Sequence, residues 1–240
     1  MLPDITGSVV VDANRLTRRF GDNTASVNAL IDVSLSVQRG EVVALMGPSG
    51  CGKTTLLHLL GGLDVPDAGT VLIEGADWST LPAKTRAQLR RRQCGFVFQS
   101  LGLLPMATAF ENVDVPLLLD GRDGATRRRY VESMLDQVGL AGKASQFPDQ
   151  LSGGEQQRVA IARALVHSPA VVLADEPTGS LDSATAMEVT ALLVGAARSH
   201  NAAVVLVTHD ERVAAHADRV LRLDSGRVLT QLTGAHGASS

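Results

Sequence analysis

EVVALMGPSGCGKTTLLHLLGGL, residues 41–63, changes periodicity twice. A short apolar run gives way to a loop with glycine at 47, 50 and 52, and leucines at helical spacing follow. Strand, tight loop and helix are therefore predicted in that order. Inside the stretch, GPSGCGKTT (47–55) fits G-x-x-x-x-G-K-[ST], a motif whose meaning depends on that context. Glycine is required where a loop wraps a phosphate and points successive backbone N–H groups inward, because a Cβ would obstruct it. The helix N-terminus adds positive potential, Lys53 can neutralise β- and γ-phosphate oxygens, and the Thr54 hydroxyl can bind a bridging Mg²⁺. A chance match in a chain this long has a probability of about 1 in 100 before the flanking strand and helix are counted. Gly47, Pro48, Ser49, Gly50, Cys51, Gly52, Lys53, Thr54 and Thr55 are thus candidate phosphate-binding residues. Cys51 has two readings, a thiol activated near a helix N-terminus or an inert small side chain chosen for fit.

Three further strands are predicted to end in polar residues. AVVLAD (170–175) is a continuous apolar run, and ligands of open α/β sheets bind beyond the carboxyl ends of the strands. Phosphoryl transfer needs one carboxylate at the metal and another to orient or deprotonate the attacking water, so Asp175 is assigned to the metal and Glu176 to the water. Taken alone, the Asp-Glu-Pro turn reads equally well as a cap for the next helix. CGFVFQ (94–99) ends in Gln99, able to contact Mg²⁺ or the water, and AAVVLVTHD (202–210) ends in His209, able to reach a γ-phosphate. A lone histidine is more often structural, but four strand ends carrying a phosphate loop, Gln, Asp-Glu and His favour function. His58, His167, His200, His216 and His236 lack such a setting and are read as structural, with no metal-site spacing.

LSGGEQQRVAIARALVHSP (151–169) places Ser152 and Glu155 in capping-box spacing at the head of an amphipathic helix. A cap alone does not need Gly153 and Gly154, which weaken the helix start and suggest close approach by another group. A second anion-binding helix terminus follows, and periodicity leaves open whether both termini meet one phosphate.

The rest of the chain sets the frame. With 45% apolar and 20% charged residues among 240, it has the composition of an ordinary globular protein. A net charge of -3 provides no basic field for nucleic acid, and the basic runs TRAQLRRR (85–92) and GRDGATRRRY (121–130) read as solvated helix faces. Two cysteines fit a reducing compartment; no run reaches the roughly 18 apolar residues of a membrane span, and MLPDITGSVV lacks the features of a signal peptide. A cytoplasmic location is expected. VNALIDVSLSV (27–37) and TVLIEG (70–75) read as strands, and RVLRLDSGRVLTQL (219–232) as a hairpin over Ser225-Gly226. Residues 100–166 carry no strand signal but several helix signals, among them a capping box at TAFE (108–111) and a stop at Gly139. Strands alternating with helices argue for an α/β protein with a mainly parallel sheet.

With LSGGEQQR beside the phosphate loop, the chain resembles the nucleotide-binding subunit of an ABC transporter along nearly its full length. That resemblance implies an α/β P-loop NTPase fold of ABC type, with a mainly parallel core, an antiparallel β subdomain and an inserted helical lobe at about 100–166. One nucleotide-binding domain is expected over 1–232, with a flexible tail over 233–240. It implies a head-to-tail homodimer with two ATP and Mg²⁺, each ATP held by the phosphate loop of one subunit and by Ser152, Gly153, Gly154 and Glu155 of the other. It makes Phe20 the adenine-stacking aromatic, where the family more often has tyrosine, Gly179 to Asp182 the interface-crossing loop, and His209 the switch histidine. LLHLLGGLD (56–64), LLPMATAFENVDVPLLL (103–119) and LADEPTGSLD (173–182) resemble more narrowly the ATPases of lipoprotein-releasing and macrolide-exporting systems and their relatives, with Ser180 where that group commonly has asparagine.

The implied function is ATP hydrolysis coupled to separate integral membrane permease subunits, for export, lipoprotein extraction or mechanotransmission, at the inner face of the cell membrane. Two other classes are weighed. A soluble ABC ATPase acting on DNA or ribosomes usually carries two cassettes or a long coiled-coil insertion, and a small-molecule kinase has no use for LSGGEQQR. Permease helices of the resembled family dock beside the segment after Gln99, here SLGLLPMATAFENV (100–113). Its Leu101, Leu103, Leu104 and Met106 are more apolar than an exposed loop requires, so at least one is expected at the surface; the alternative, strongest for Leu104, is that they fill the core of the lobe.

Overall fold

The computed structural model describes residues 8–21 and 26–233, so part of MLPDITGSVV and residues 234–240 of the expected tail lie outside the described residues. In chain order come β1 (Val9–Phe20), β2 (Val27–Gln38), β3 (Val42–Met46), α1 (Lys53–Leu60), β4 (Ala68–Ile73), β5 (Ala76–Asp77), α2 (Ala83–Gln93) and β6 (Cys94–Val97). Then follow α3 (Ala109–Leu119), α4 (Gly124–Gln137), α5 (Gly153–Leu165), β7 (Val171–Asp175), α6 (Ser183–Ser199), β8 (Ala203–Val207), α7 (Glu211–Ala214), β9 (Arg219–Asp224) and β10 (Arg227–Thr233).

Six strands form one sheet in the order β10-β9-β3-β8-β7-β6, with β9, β3, β8, β7 and β6 parallel and β10 returning antiparallel. The continuous apolar runs have a simple cause, since this sheet is buried on both faces. Val42, Ala44 and Met46 of β3 face a cluster shared with α3, α4, α5 and α6, while Val43 and Leu45 face a second cluster built on α1. The second cluster is closed by a four-stranded antiparallel sheet, β2-β1-β4-β5. β1 has only a short apolar start, Val9 to Val11: within it Val10, Val11, Ala13 and Leu16 are buried, while Asp12, Asn14 and Arg15 are exposed.

Both capping boxes form. Thr108 and Glu111 close the start of α3, and Ser152 and Glu155 the start of α5. α5 packs on β6 at Gly95, where a Cβ would lie 2.2 Å from the carbonyl oxygen of Ala164. The segment between 100 and 166 therefore contributes helices to the sheet's own core as well as to a lobe.

Just past α5, His167 Nε2 lies 3.2 Å from the Cys94 carbonyl, and its Nδ1 is buried without a partner. Burial pushes the ring's pKa down to about 4. Above pH about 6.5 the ring is neutral in folded and unfolded chains alike and contributes nothing to the pH dependence. Between that value and about 4 only the unfolded chain takes up the proton, so stability falls as pH falls through this window. Urea midpoints at pH 7.5, 6.5 and 5.5 should show the wild type losing more stability on acidification than His167→Leu; parallel losses would refute the assignment.

Candidate active site

Because β3, β6, β7 and β8 are parallel, their carboxyl ends open on the same edge of the sheet. At the first of these ends α1 starts with Gly52 as its N-cap, at φ 110, with no side-chain cap and no acidic residue in the first turn. An uncapped helix start offers its orphan amides to an anion. Gly47 and Gly52 are fixed by contact as well as torsion: a Cβ on Gly47 would sit 2.1 Å from the Leu223 carbonyl oxygen, and one on Gly52 2.3 Å from that of Ala29. Lys53 Nζ crosses the loop to donate to the carbonyls of Gly47 at 2.8 Å and Pro48 at 2.9 Å. Pro48, Ser49, Gly50 and Thr54 are exposed, and Thr55 is half-buried. Cys51 is buried with its Sγ 3.9 Å from Lys53 Nζ, which favours the inert-filler reading over an accessible nucleophile.

Thr54 Oγ1 donates to Asp175 Oδ2 at 2.8 Å, uniting the two residues assigned to a metal. A hydroxyl and a carboxylate are donors that a hard divalent cation takes, with further ligands coming from phosphate and water, so the pair fits Mg²⁺. Glu176, one residue on, has φ 47, and its carboxylate meets His209 Nδ1 at 2.9 Å. A non-glycine residue held in this region costs of order 1–3 kcal/mol and turns the side chain off the line of the strand. The His209 side chain is 74% exposed, so Nε2 remains available on the open side. β6 stops at Val97, two residues short of Gln99. The Gln99 amide lies against the Glu176–Gly179 turn, with Nε2 3.7 Å from the Cβ position of Gly179.

The other candidates stand apart. Phe20 ends β1 with its ring half exposed, and no hydrogen bond or ion pair joins it or residues 152–155 to the phosphate loop among the described residues. At α5 the amides of Glu155 and Gln156 are satisfied by Ser152, while those of Gly153 and Gly154 have no partner among the described residues. The Glu155 carboxylate is committed to the Ser152 amide at 2.9 Å and to Lys143 at 3.4 Å. Within the chain, the close approach expected at the two glycines comes from α6 and the loop before it: a Cβ on Gly154 would meet Thr185 Cγ2 at 2.8 Å, and one on Gly153 would meet Leu181 at 3.4 Å.

Sequence reasoning missed Arg163. From the last turn of α5 its guanidinium clamps the carbonyls of Leu101 and Gly102, both residues at φ 56, and so braces the segment after Gln99. Its signal was a lone arginine inside the apolar run VAIARAL. In that segment Leu101 and Leu103 pack on the core, whereas Leu104 and Met106 are 50% and 90% exposed, which reverses the leaning toward Leu104 as a core residue. Nearby, α2, β6, α3 and α5 enclose a cleft of about 520 Å³ lined by Arg90, Arg91, Phe96, Phe98, Pro116 and Leu119.

A loop able to cradle polyphosphate, with two carboxylates a residue apart serving different partners, defines an NTP-hydrolysing protein of the phosphate-loop class. The comparisons narrow that class. The family model described as ABC transporter matches residues 30–179. The lipoprotein-releasing system ATP-binding protein LolD of Legionella pneumophila (strain Lens) is 49% identical over 218 residues, 91% of this chain and 96% of the relative. LolD of Bordetella pertussis (strain Tohama I) is 48% identical over 226 residues, 94% of this chain and 97% of the relative. A dimeric, post-hydrolysis structure of the ATP-binding cassette MJ0796 bound to ADP and Pi superposes with a TM-score of 0.84 at 39% identity, covering 93% of this chain and 98% of that one. The chain belongs to the ABC transporter family, as an ATP-hydrolysing subunit of a membrane complex.

Lys53 is the only cation of the loop. Replacing it with alanine should weaken ATP binding about 10- to 100-fold, the worth of one or two charge-assisted bonds, with far-UV circular dichroism unchanged. Equilibrium binding of a fluorescent ATP analogue provides the check, and unchanged affinity would remove Lys53 from the site.

Proposed function

We propose that two copies of this chain assemble head to tail around two ATP molecules and drive a separate integral membrane permease from the inner face of the membrane. Each ATP lies between the phosphate loop of one copy and the α5 start of the other. The observation that carries this reading is the pair of amides at Gly153 and Gly154 that have no partner among the described residues, at a helix start whose Glu155 carboxylate is committed to the Ser152 amide and to Lys143. The nucleotide-binding domain spans 1–232, with 100–166 as its lobe. The lipoprotein-releasing names of relatives 48–49% identical support membrane lipoproteins as the cargo class.

In this reading Phe20 stacks on adenine and the amides of residues 47–55 wrap the phosphates, with Lys53 on the β- and γ-oxygens. Thr54 and Asp175 would hold Mg²⁺, with Gln99 close to the attacking water; when bound, the ion supplies charge neutralisation on the phosphates. Glu176 accepts the proton of the water that attacks the γ-phosphate, so a hydroxide oxygen forms the new P–O bond as the bond to ADP breaks. His209 holds the Glu176 carboxylate through Nδ1 and meets the γ-phosphate through Nε2. Glu176→Gln should keep ATP affinity within about threefold, lower turnover by at least about 100-fold and accumulate an ATP-bound dimer on size-exclusion chromatography. Wild-type hydrolysis by this variant would exclude Glu176 as the base.

Docking of the permease falls on the mainly apolar cleft, whose lining also holds Arg90, Arg91, Arg163 and His167, and on the exposed Leu104 and Met106 of the segment that follows Gly102 at its rim. Leu101 and Leu103 are unsuited to test this, since a charge there disturbs the core. Leu104→Glu and Met106→Glu together should abolish co-purification with the permease from detergent-solubilised membranes while ATP binding stays intact. Undiminished co-purification would move the interface elsewhere, and recovery of ribosomes or DNA in place of a membrane protein would favour the soluble ABC ATPase.

A further inference from the structure

Phe20 reaches the end of β1 half-exposed, with a cation over its ring. The guanidinium carbon of Arg18 lies 4.8 Å from the ring centroid. That guanidinium is held in one plane by a fork: Nε and Nη2 grip both oxygens of Asp64 at 2.8 and 3.0 Å, and Nη1 donates to Asp67 at 2.9 Å. Both carboxylates are themselves fixed from the backbone, Asp64 by the Val65 amide at 2.8 Å and Asp67 by the Arg19 amide at 2.6 Å. The side chain of Arg18 is only 22% exposed, so this is no freely solvated surface pair.

We infer that Arg18, locked by Asp64 and Asp67, is a positioning residue that sets the plane of Phe20 for nucleobase stacking. The inference rests on the reading of Phe20 as the stacking ring. Two observations separate it from a merely structural role. The strands are already tied at this point, by the Asp67 amide on the Thr17 carbonyl at 2.9 Å and by the β1–β4 pairing of Thr17 with Ala68, so the fork is not needed to join them. Phenylalanine also has no hydroxyl with which to anchor its own ring, and a guanidinium held over the ring restricts its rotation while the side chain stays half-exposed. Asp64 follows the turn that ends α1, so the helix whose start faces the phosphates leads directly to the group that holds the base platform. Base and phosphate recognition thereby share one rigid element.

The test compares MgADP with magnesium pyrophosphate, neither of which turns over, by calorimetric titration of wild type, Arg18→Ala, Phe20→Ala and the double variant. Arg18→Ala should weaken MgADP about three- to tenfold and leave pyrophosphate unchanged, because only the base uses the ring. The double variant should bind MgADP no more weakly than Phe20→Ala alone. Arg18→Gln, which keeps the aliphatic stem, is the second variant should alanine compromise folding, and thermal unfolding of each protein reports that. Equal loss for MgADP and pyrophosphate would make the network structural and overturn the inference. Unchanged MgADP affinity in Arg18→Ala, with a loss in Phe20→Ala, would overturn the positioning role and leave stacking standing. No effect of Phe20→Ala on MgADP would remove the stacking reading itself, and the inference with it.

Discussion

Backbone presses on backbone beneath the phosphate loop, and the site depends on that contact. Carbonyl oxygens of Leu223 and Ala29 occupy the space that side chains on Gly47 and Gly52 would need. The Gly226 amide donates to the Cys51 carbonyl at 3.1 Å, and the Ile31 amide donates to the Gly226 carbonyl at 2.8 Å. Residues 47–52 are thus clamped between β2 of one sheet and the β9–β10 hairpin of the other. The clamp spends the Cys51 carbonyl and Lys53 takes those of Gly47 and Pro48, so three loop carbonyls are already partnered where an anion site requires amides. The loop is therefore the seam of the molecule, and the two sheets need each other to shape it.

Features written in neighbouring residues were legible in the sequence. The two capping boxes, the hairpin at Ser225-Gly226 and the glycine loop depend on spacings of a few residues, and each formed as read. Buried strands read clearly because both faces of the parallel sheet exclude water. β1 escaped notice because its exposed polar residues and its register shifts against β2 break the period-two pattern. Side-chain partners set by long-range packing were not legible either. Nothing local to Gly154 announces Thr185, and nothing local to Leu101 announces Arg163, 62 residues away. For the same reason LGLLPM gave no indication of which leucines point inward.

Arg163 shows how such a contact couples surfaces. Burial pushes its guanidinium pKa down, yet the carbonyls of Leu101 and Gly102 give it two acceptors. Both carbonyls belong to residues at positive φ, a conformation free to Gly102 but disfavoured for Leu101, so the arginine stabilises a strained leucine. α5 carries the proposed second anion terminus at its start and this clamp near its end, and the clamped segment carries the exposed Leu104 and Met106. One helix therefore spans from the proposed nucleotide interface to the proposed permease surface.

The neighbouring acids show how a single torsion divides two roles. Asp175 is still extended, paired in register with Val207, and its carboxylate turns to Thr54. Glu176 keeps one last sheet bond, its amide to the Val207 carbonyl at 3.1 Å, but its φ of 47 swings the side chain toward β8 and His209. On that side the backbone is pinned directly after the histidine. Asp210 caps α7 and is gripped by Arg212, whose hydrogen bond holds the carboxyl at a pKa of about 2. The chain is thus pinned just beyond the histidine while its ring stays exposed, with Nδ1 on Glu176. Had the strand simply continued, Glu176 would have projected to the face opposite Asp175; the left-handed residue at 176 turns it instead toward the end of β8, so one strand end carries two carboxylates with different partners.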